Sequence, residues 1–396
     1  MNVTVHPGLL RGTVTVPPSK SLSHRALIAS FLAGRGTVKN LAENSDIDAT
    51  RDCLDALRNG GICDCRDSGS TMRFLVPLAL VLNGGGTFTG NGRLPERPMG
   101  PYFELFTQKG VSVERSENGF TLRGALQPGC YSLPGNVSSQ FVTGLLFALP
   151  LLNGESTIVL TSPLESASYA ALTLQVLSAF GIQIEPVPDG WCIPGGQAYR
   201  PCDYTVEGDE SAAAFWRVAN ALGSAITYKG LNPHSIQGDC AMRAIIDGDI
   251  RVIDVRECPD LVPALAVLCC FREGESRIVH AERLRLKECD RLAVMAGELN
   301  ALGASVTELP DGLIIQGLAS PVEENIDEAG GEGLHGRRPL LRGGNAGSHS
   351  DHRVPMSLAI AATRCRAPVT IRGAECVEKS YPLFWKDFSA LGGNLR

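Results

Sequence analysis

The chain has 396 residues, 44% hydrophobic and 20% charged, which leaves room for roughly two to three domains of about 150 residues and excludes a peptide hormone or a single small module. Lys and Arg number 36 against 42 Asp and Glu, a net charge of -6, and the charges are interspersed, so no nucleic-acid footprint is present. The long apolar run from Leu261 to Phe271 is too short to span a bilayer.

The N-terminal stretch MNVTVHPGLLRGTV lacks the apolar core of a signal peptide, so the 13 cysteines are expected to be reduced thiols of a soluble cytoplasmic protein. No CxxC occurs, and no metal site is expected. In chain order, the first helix start is Pro18-Ser19-Lys20-Ser21-Leu22-Ser23-His24-Arg25. Ser21 and Arg25 share one face there, and Leu22, Ala26, Ala29 and Ala33 make the buried stripe. Gly60 ends the next helix, and Asp67-Ser68-Gly69-Ser70-Thr71-Met72-Arg73 opens another. The loop from Asn91 to Gly100 holds Arg93 and Arg97 on a backbone stiffened by prolines, two planar forks suited to carboxylate or phosphate. Further starts lie at 134–140, at Pro259-Asp260, at Lys287-Glu288-Cys289-Asp290-Arg291, where Lys287 and Arg291 are expected to share a helix face, and at Asp351-His352-Arg353. The Gly-rich stretch 323–350 is expected to be a mobile loop.

Gly60, Gly110, Gly181, Gly223, Gly303 and Gly392 each follow an amphipathic stretch, at positions where a helix ends in a left-handed residue. In most cases a β-branched run comes next, so the chain reads as duplicated α/β units. At the opposite helix ends, hydroxyls and cations gather where the macrodipole disfavours positive charge, and free backbone N–H groups with fixed cations form an anion site. Lys20, Arg25, Arg73, Arg97, Lys287, Arg291, Arg353 and Lys379 sit in loop or helix-start settings in a net-negative chain, which points to multiply anionic substrates. Asp260 and Glu288 supply an acid and base for the same cleft. Nucleotide and hydrolase fingerprints are missing: no GxxxxGK[ST], GxSxG or HExxH occurs, and the GxGxxG letters at 331–336 follow a polar stretch rather than a strand.

PSKSLSHRALIAS, SGSTMRFL, GRLPERPMG, GNVSSQFVTGLLFALPLL, CPDLVPALAVL, RLKECDRL, SDHRVPMSLAIAA and CVEKSYPLFW follow one another across nearly the whole chain. In this order they resemble the EPSP synthase (3-phosphoshikimate 1-carboxyvinyltransferase) family of enolpyruvyl transferases. The resemblance implies an α/β fold of two similar domains, each an inside-out α/β barrel of three βαβαββ units, with the active site in the cleft between them. Residues 20–206 would form one domain, mainly for shikimate 3-phosphate. Residues 1–19 with 207–396 would form the other, mainly for phosphoenolpyruvate and the acid and base. The implied reaction moves the enolpyruvyl group to the 5-hydroxyl of shikimate 3-phosphate, releases phosphate, and passes through a tetrahedral intermediate without a cofactor.

By the same resemblance Lys20, Asp260 and Glu288 would be catalytic. Lys20, Ser21, Arg25, Ser138, Ser139, Gln140, Ser166, Tyr169, Asp260 and Lys287 would bind shikimate 3-phosphate. Lys20, Gly69, Arg97, Gln140, Arg291, Arg353 and Lys379 would bind phosphoenolpyruvate. The partners implied are these two small molecules, with no nucleic acid or membrane, and the chain is expected to be a monomer. Asp67, Ser70, Ala167 and Arg283 depart from the commoner family pattern, and Asp67 is expected to bring an extra carboxylate close to the phosphoenolpyruvate site. Sister enzymes that use UDP-N-acetylglucosamine carry a Cys in the loop before Arg-Pro, and GNGRLPERP has none.

Overall fold

A computed structural model describes residues 1–34, 36–318 and 340–396. Three four-stranded sheets repeat one plan. Each begins with a parallel pair joined through a helix, and a second helix then leads to an antiparallel hairpin whose last strand pairs with the second strand. In the first sheet the parallel strands are Cys63–Asp64 and Gly85–Thr89, and the hairpin is Ser112–Ser116 with Gly119–Arg123. The other two run from Cys130–Leu133 to Gly190–Ile193 and from Val252–Asp254 to Gly312–Gln316. Each is a βαβαββ unit.

The helices are α1 (Lys20–Leu32), α2 (Ser45–Asn59), α3 (Gly69–Asn83), α4 (Gly100–Gln108), α5 (Ser139–Ala148) and α6 (Ala167–Ala179), followed by α7 (Glu210–Ala221), α8 (Ala241–Asp247), α9 (Val262–Cys270), α10 (Arg291–Ala301), α11 (Arg353–Ala362) and α12 (Phe384–Ala390). α3, α5, α9 and α11 are apolar nearly all round and lie inside the sheets, as a fully buried helix must. One hydrophobic core runs from Leu22 to Val206, and a second combines Val3 to Val16 with Ala212 to Leu391.

Two details show how tightly the inner helices are fitted. Pro77 has no N–H to give the Arg73 carbonyl one turn back, and the single proton of the Tyr102 hydroxyl lies between that carbonyl (3.0 Å) and the Phe141 carbonyl of α5 (2.7 Å). On α5, a Cβ at Gly144 would stand 2.3 Å from the same Arg73 carbonyl, so only glycine lets α3 and α5 approach this closely. Both contacts fix the start of α3, from which the Arg73 side chain leaves.

The chain passes between the cores twice, and the two passages lie side by side. Ser19 N–H donates to Glu207 O (2.8 Å), Asp209 N–H to Pro17 O (2.8 Å), and Lys20 N–H to Asp209 Oδ2 (3.0 Å). Parallel pairs flank them, Arg11–Thr15 with Ala225–Lys229 and Thr37–Lys39 with Asp203–Thr205.

All six helix-ending glycines have positive φ, between 77° and 110°. Five close α2, α4, α6, α10 and α12, the second helices of their units; Gly223 closes α7. Two expectations are corrected. Lys287 and Glu288 are not on α10: Lys287 is extended after a 3-10 turn, and the Asp290 side chain accepts from Ala293 N–H (3.1 Å), so the helix starts at Arg291. The Gly-rich stretch is not a loop throughout, because Gly344–Gly347 is a strand parallel to Val369–Arg372; residues 323–339, with the GxGxxG letters, lie outside the described residues.

Candidate active site

The N-termini of α1, α3, α5, α7 and α11, with the turn before α9, face one cavity. Among its lining residues Lys20, Arg25, Arg97, Arg283, Lys287, Arg291 and Arg353 outnumber Asp46, Asp209, Asp260 and Glu288, inside a protein that is net negative. An anion is therefore drawn to this cavity.

The wall from the first core consists mostly of hydroxyls and caps. Ser19, Ser68 and Ser138 cap α1, α3 and α5 through Leu22, Thr71 and Gln140 N–H. The Lys20 ammonium stands 2.8 Å from Asp46 Oδ2 at the start of α2. Burial would raise Asp46, but Lys20 and then Lys379 hold it below the usual carboxylate range. Arg25, 2% exposed, donates to Ser21 O (2.7 Å), Thr173 Oγ1 (2.9 Å) and Tyr169 O (3.0 Å). From α3, Arg73 donates to Gln140 Oε1 (2.8 Å), and Gln140 Nε2 donates to Ser70 Oγ (2.9 Å), which orders the mouth of α5. A Cβ on Gly69 would lie 2.7 Å from Arg97 Nη1, so the glycine leaves room for that guanidinium over the start of α3.

The wall from the second core is a buried ion network. Arg291, 2% exposed, donates from Nε to Asp351 Oδ2 (2.6 Å), from Nη1 to Asp260 Oδ1 (2.8 Å) and from Nη2 to Glu288 Oε2 (2.9 Å). Three of its five N–H groups are thereby committed, and two remain. Arg353 Nη2 lies 3.1 Å from the other Asp260 oxygen. Burial pushes Asp260 and Glu288 up, but for Asp260 Arg353, Lys287 and Arg291, and for Glu288 Arg291, Lys379 and Arg97, more than offset it. Both carboxylates stay ionised near neutral pH. The Lys287 ammonium goes the other way, lowered to about 8 by burial against the pull of Asp260.

The two walls meet. The Tyr169 hydroxyl donates to Asp260 Oδ2 (2.9 Å), Arg97 approaches Glu288 Oε1 (4.0 Å), and Lys379 Nζ bridges Glu288 Oε1 (3.5 Å) and Asp67 O (3.1 Å). His352 lines the cavity 2% exposed, with both ring nitrogens lacking a partner, and burial, then Lys20 and Arg353, keep it neutral.

Every residue expected to be catalytic or to bind a substrate lines this cavity except Lys379, which reaches Glu288 from the rim; of the other expected cations, Arg73 lies behind the lining and holds Gln140 and the Pro98 carbonyl. Arg93 stays out, exposed beside Glu96, so the Arg-Pro loop gives the cleft one fork rather than two. The Asp67 carboxylate packs toward Gly92, while its backbone carbonyl takes Lys379. Sequence reasoning missed Asp46, Asp351 and Ser211 as partners; Asp209, which caps α7 through Ala212 N–H, also lines the cavity. Sequence reasoning also missed Asp239, buried against the Ser211 hydroxyl, whose carboxyl is pushed up by burial and then by Asp260. All 13 cysteines are free, Cys130 is exposed, and among the described residues no group of His, Cys, Asp or Glu is arranged to hold a metal ion.

Known proteins share both the fold and these segments. The family model described as EPSP synthase (3-phosphoshikimate 1-carboxyvinyltransferase) matches residues 5–61, 59–248 and 243–388. The 3-phosphoshikimate 1-carboxyvinyltransferase of Clostridium perfringens is 40% identical over 439 aligned residues, covering 100% of this chain and 99% of that protein. The protein of the same name from Clostridium kluyveri is 41% identical, covering 99% and 98%. Among solved structures, EPSP synthase from Acinetobacter baumannii superposes with a TM-score of 0.77 at 25% identity, covering 100% and 99%. The enolpyruvyl transferase NikO from Streptomyces tendae, 16% identical with a TM-score of 0.75, shares the fold. Fold and cleft together define a transferase built as two inside-out α/β barrels. The chain belongs to the EPSP synthase family.

Proposed function

We propose that the cleft binds shikimate 3-phosphate and phosphoenolpyruvate together, and that its residues divide the family's reaction between the two walls. Ser21, Arg25, Ser138, Ser139, Gln140, Ser166, Tyr169 and Lys287 hold shikimate 3-phosphate. Gly69, Arg97, Gln140, Arg291, Arg353 and Lys379 hold phosphoenolpyruvate, and Lys20 faces both. Asp260 also faces the acceptor, and its carboxylate removes the proton of the 5-hydroxyl as that oxygen attacks C2 of phosphoenolpyruvate. The Lys20 ammonium gives a proton to C3, which completes the tetrahedral adduct. Glu288 then takes a proton from C3, the double bond re-forms, and the bond from C2 to the phosphate oxygen breaks to release phosphate.

One observation carries this assignment. Asp260 is held ionised by Arg291 and Arg353 while Tyr169, from the opposite wall, touches the same carboxylate, so a base stands where both substrates' residues converge. Water kept from such a cleft cannot divert the adduct. Asp260→Asn is expected to lower turnover roughly 10²- to 10⁴-fold with the fold retained. Turnover undiminished in a phosphate-release assay would remove Asp260 from the mechanism.

The chain would divide at the two side-by-side passages into 20–206 and 1–19 with 207–396, a division supported by the two cores. A cytoplasmic monomer that handles small molecules and no nucleic acid completes this reading; among the described residues no helix is long and apolar enough to cross a membrane.

A further inference from the structure

The stretch from Glu165 to Tyr169 reaches from the first core into the second. Ser166 N–H donates to Arg256 O (3.1 Å), Ser168 N–H to Glu257 Oε2 (2.9 Å), and the Ser168 hydroxyl to Glu257 O (3.1 Å). Arg283 clasps the same stretch from the second core. Its guanidinium pairs with Glu165, donates from Nη1 to Ser166 Oγ (3.2 Å), and donates from Nη2 to Arg256 O (3.0 Å).

Both charged side chains are largely shielded, 14% exposed for Arg283 and 17% for Glu165, so solvent screens the pair less than it screens a surface bridge. One planar fork meets two hydrogen-bond acceptors and the Glu165 carboxylate at once. A lysine, a point charge on a single nitrogen, could not address them all. Ser166 itself sits at φ 58°, a left-handed conformation that a serine keeps only when its surroundings hold it. Its hydroxyl donates to Arg256 O (3.2 Å) and accepts from Arg283, which leaves one lone pair with a defined direction.

We propose that Arg283 and Glu165 are a positioning pair that aims the Ser166 hydroxyl at the phosphorylated acceptor, so that affinity for this substrate, and not for phosphoenolpyruvate, depends on one ion pair across the cleft. This rests on the cleft assignment above and deepens it. The pair acts through Ser166 and touches neither reacting carbon.

The test compares the full-length enzyme with Arg283→Ala, Glu165→Ala and the double variant. In either single variant the KM for shikimate 3-phosphate is expected to rise roughly tenfold, as for loss of one charge-assisted hydrogen bond, with no further rise in the double variant. The KM for phosphoenolpyruvate should move less than about twofold. Effects that multiply in the double variant, or two KM values that rise alike, would overturn the proposal. A second readout needs no substrate: amide hydrogen exchange at Ser166 and Ser168 should quicken in both single variants, and unchanged exchange would also overturn it. If exchange quickens but the unmodified enzyme shows no acceptor-dependent turnover, the cleft assignment fails, and with it the pair's role toward that acceptor.

Discussion

The two walls of the cleft handle charge in opposite ways. On the first, neutral dipoles do most of the work: serine hydroxyls, helix caps, and an Arg73–Gln140–Ser70 chain of hydrogen bonds. On the second, Arg291 joins three carboxylates at 2.6 to 2.9 Å, almost wholly out of water. Hydroxyls and backbone N–H groups can bind a phosphate without bringing a counter-charge of their own, so such a wall suits recognition. A buried ion network is costly to desolvate, and what it secures is carboxylates that stay ionised in a dry site. The difference teaches that hydroxyls and caps concentrate on one half of a duplicated fold and buried ionised carboxylates on the other, with Lys20 and Asp46 a charged pair on the first half.

Breaking the second wall should have the largest effect. Arg291→Met removes the cation shared by Asp260, Glu288 and Asp351 and leaves buried carboxylates without their partner. A loss of roughly 3–5 kcal/mol is expected in urea unfolding at pH 7, easing at acid pH as the stranded carboxylates take up protons. A variant as stable as the parent would mean that the network is not what holds this wall.

The seam between the walls is sharpened by Gly69→Ala. The new methyl would meet Arg97 Nη1 at 2.7 Å and Arg73 Nη1 at 2.9 Å, and both guanidiniums are ends of long side chains that can shift. Because they move rather than block, a rise of roughly tenfold in the KM for phosphoenolpyruvate is expected, with stability little changed. An unaltered KM would place Arg97 away from that substrate.

The smallest effect is one of pH. Lys287 titrates at about 8 in the free enzyme, lowered from 10.5 by burial, so its charge is present below that pH and is lost as pH rises through it. The kcat/KM for shikimate 3-phosphate should therefore fall above about pH 8, since that ratio reports groups of the free enzyme. Lys287→Arg, which keeps its charge, should flatten this limb. A limb that persists in the variant would belong to another group.

Much of the first wall was legible in the sequence because capping is local. A serine reads as a cap from its immediate neighbours, and Gly60 or Gly181 ends a helix within one turn. The second wall was legible only as a set of residue types. Asp260 meets Arg291 across 31 positions, Arg291 meets Asp351 across 60, and Tyr169 meets Asp260 across 91, separations at which no periodicity speaks. The same limit hid Asp46 and Glu165. Spacing also misled at Lys287 and Arg291, where a capping aspartate between them moved the helix start and put Lys287 and Glu288 on an extended approach. The strand at Gly344–Gly347 was missed because glycine-rich composition reads as loop, whereas its pairing with Val369–Arg372 is set by the sheet.

The most direct test is phosphate release from phosphoenolpyruvate, measured in nucleotide-free buffer with and without shikimate 3-phosphate. Release that requires the acceptor, with phosphate and enolpyruvyl product formed in equal amounts, is the expected result. Release at the same rate without the acceptor, or none although both ligands bind, would contradict the account.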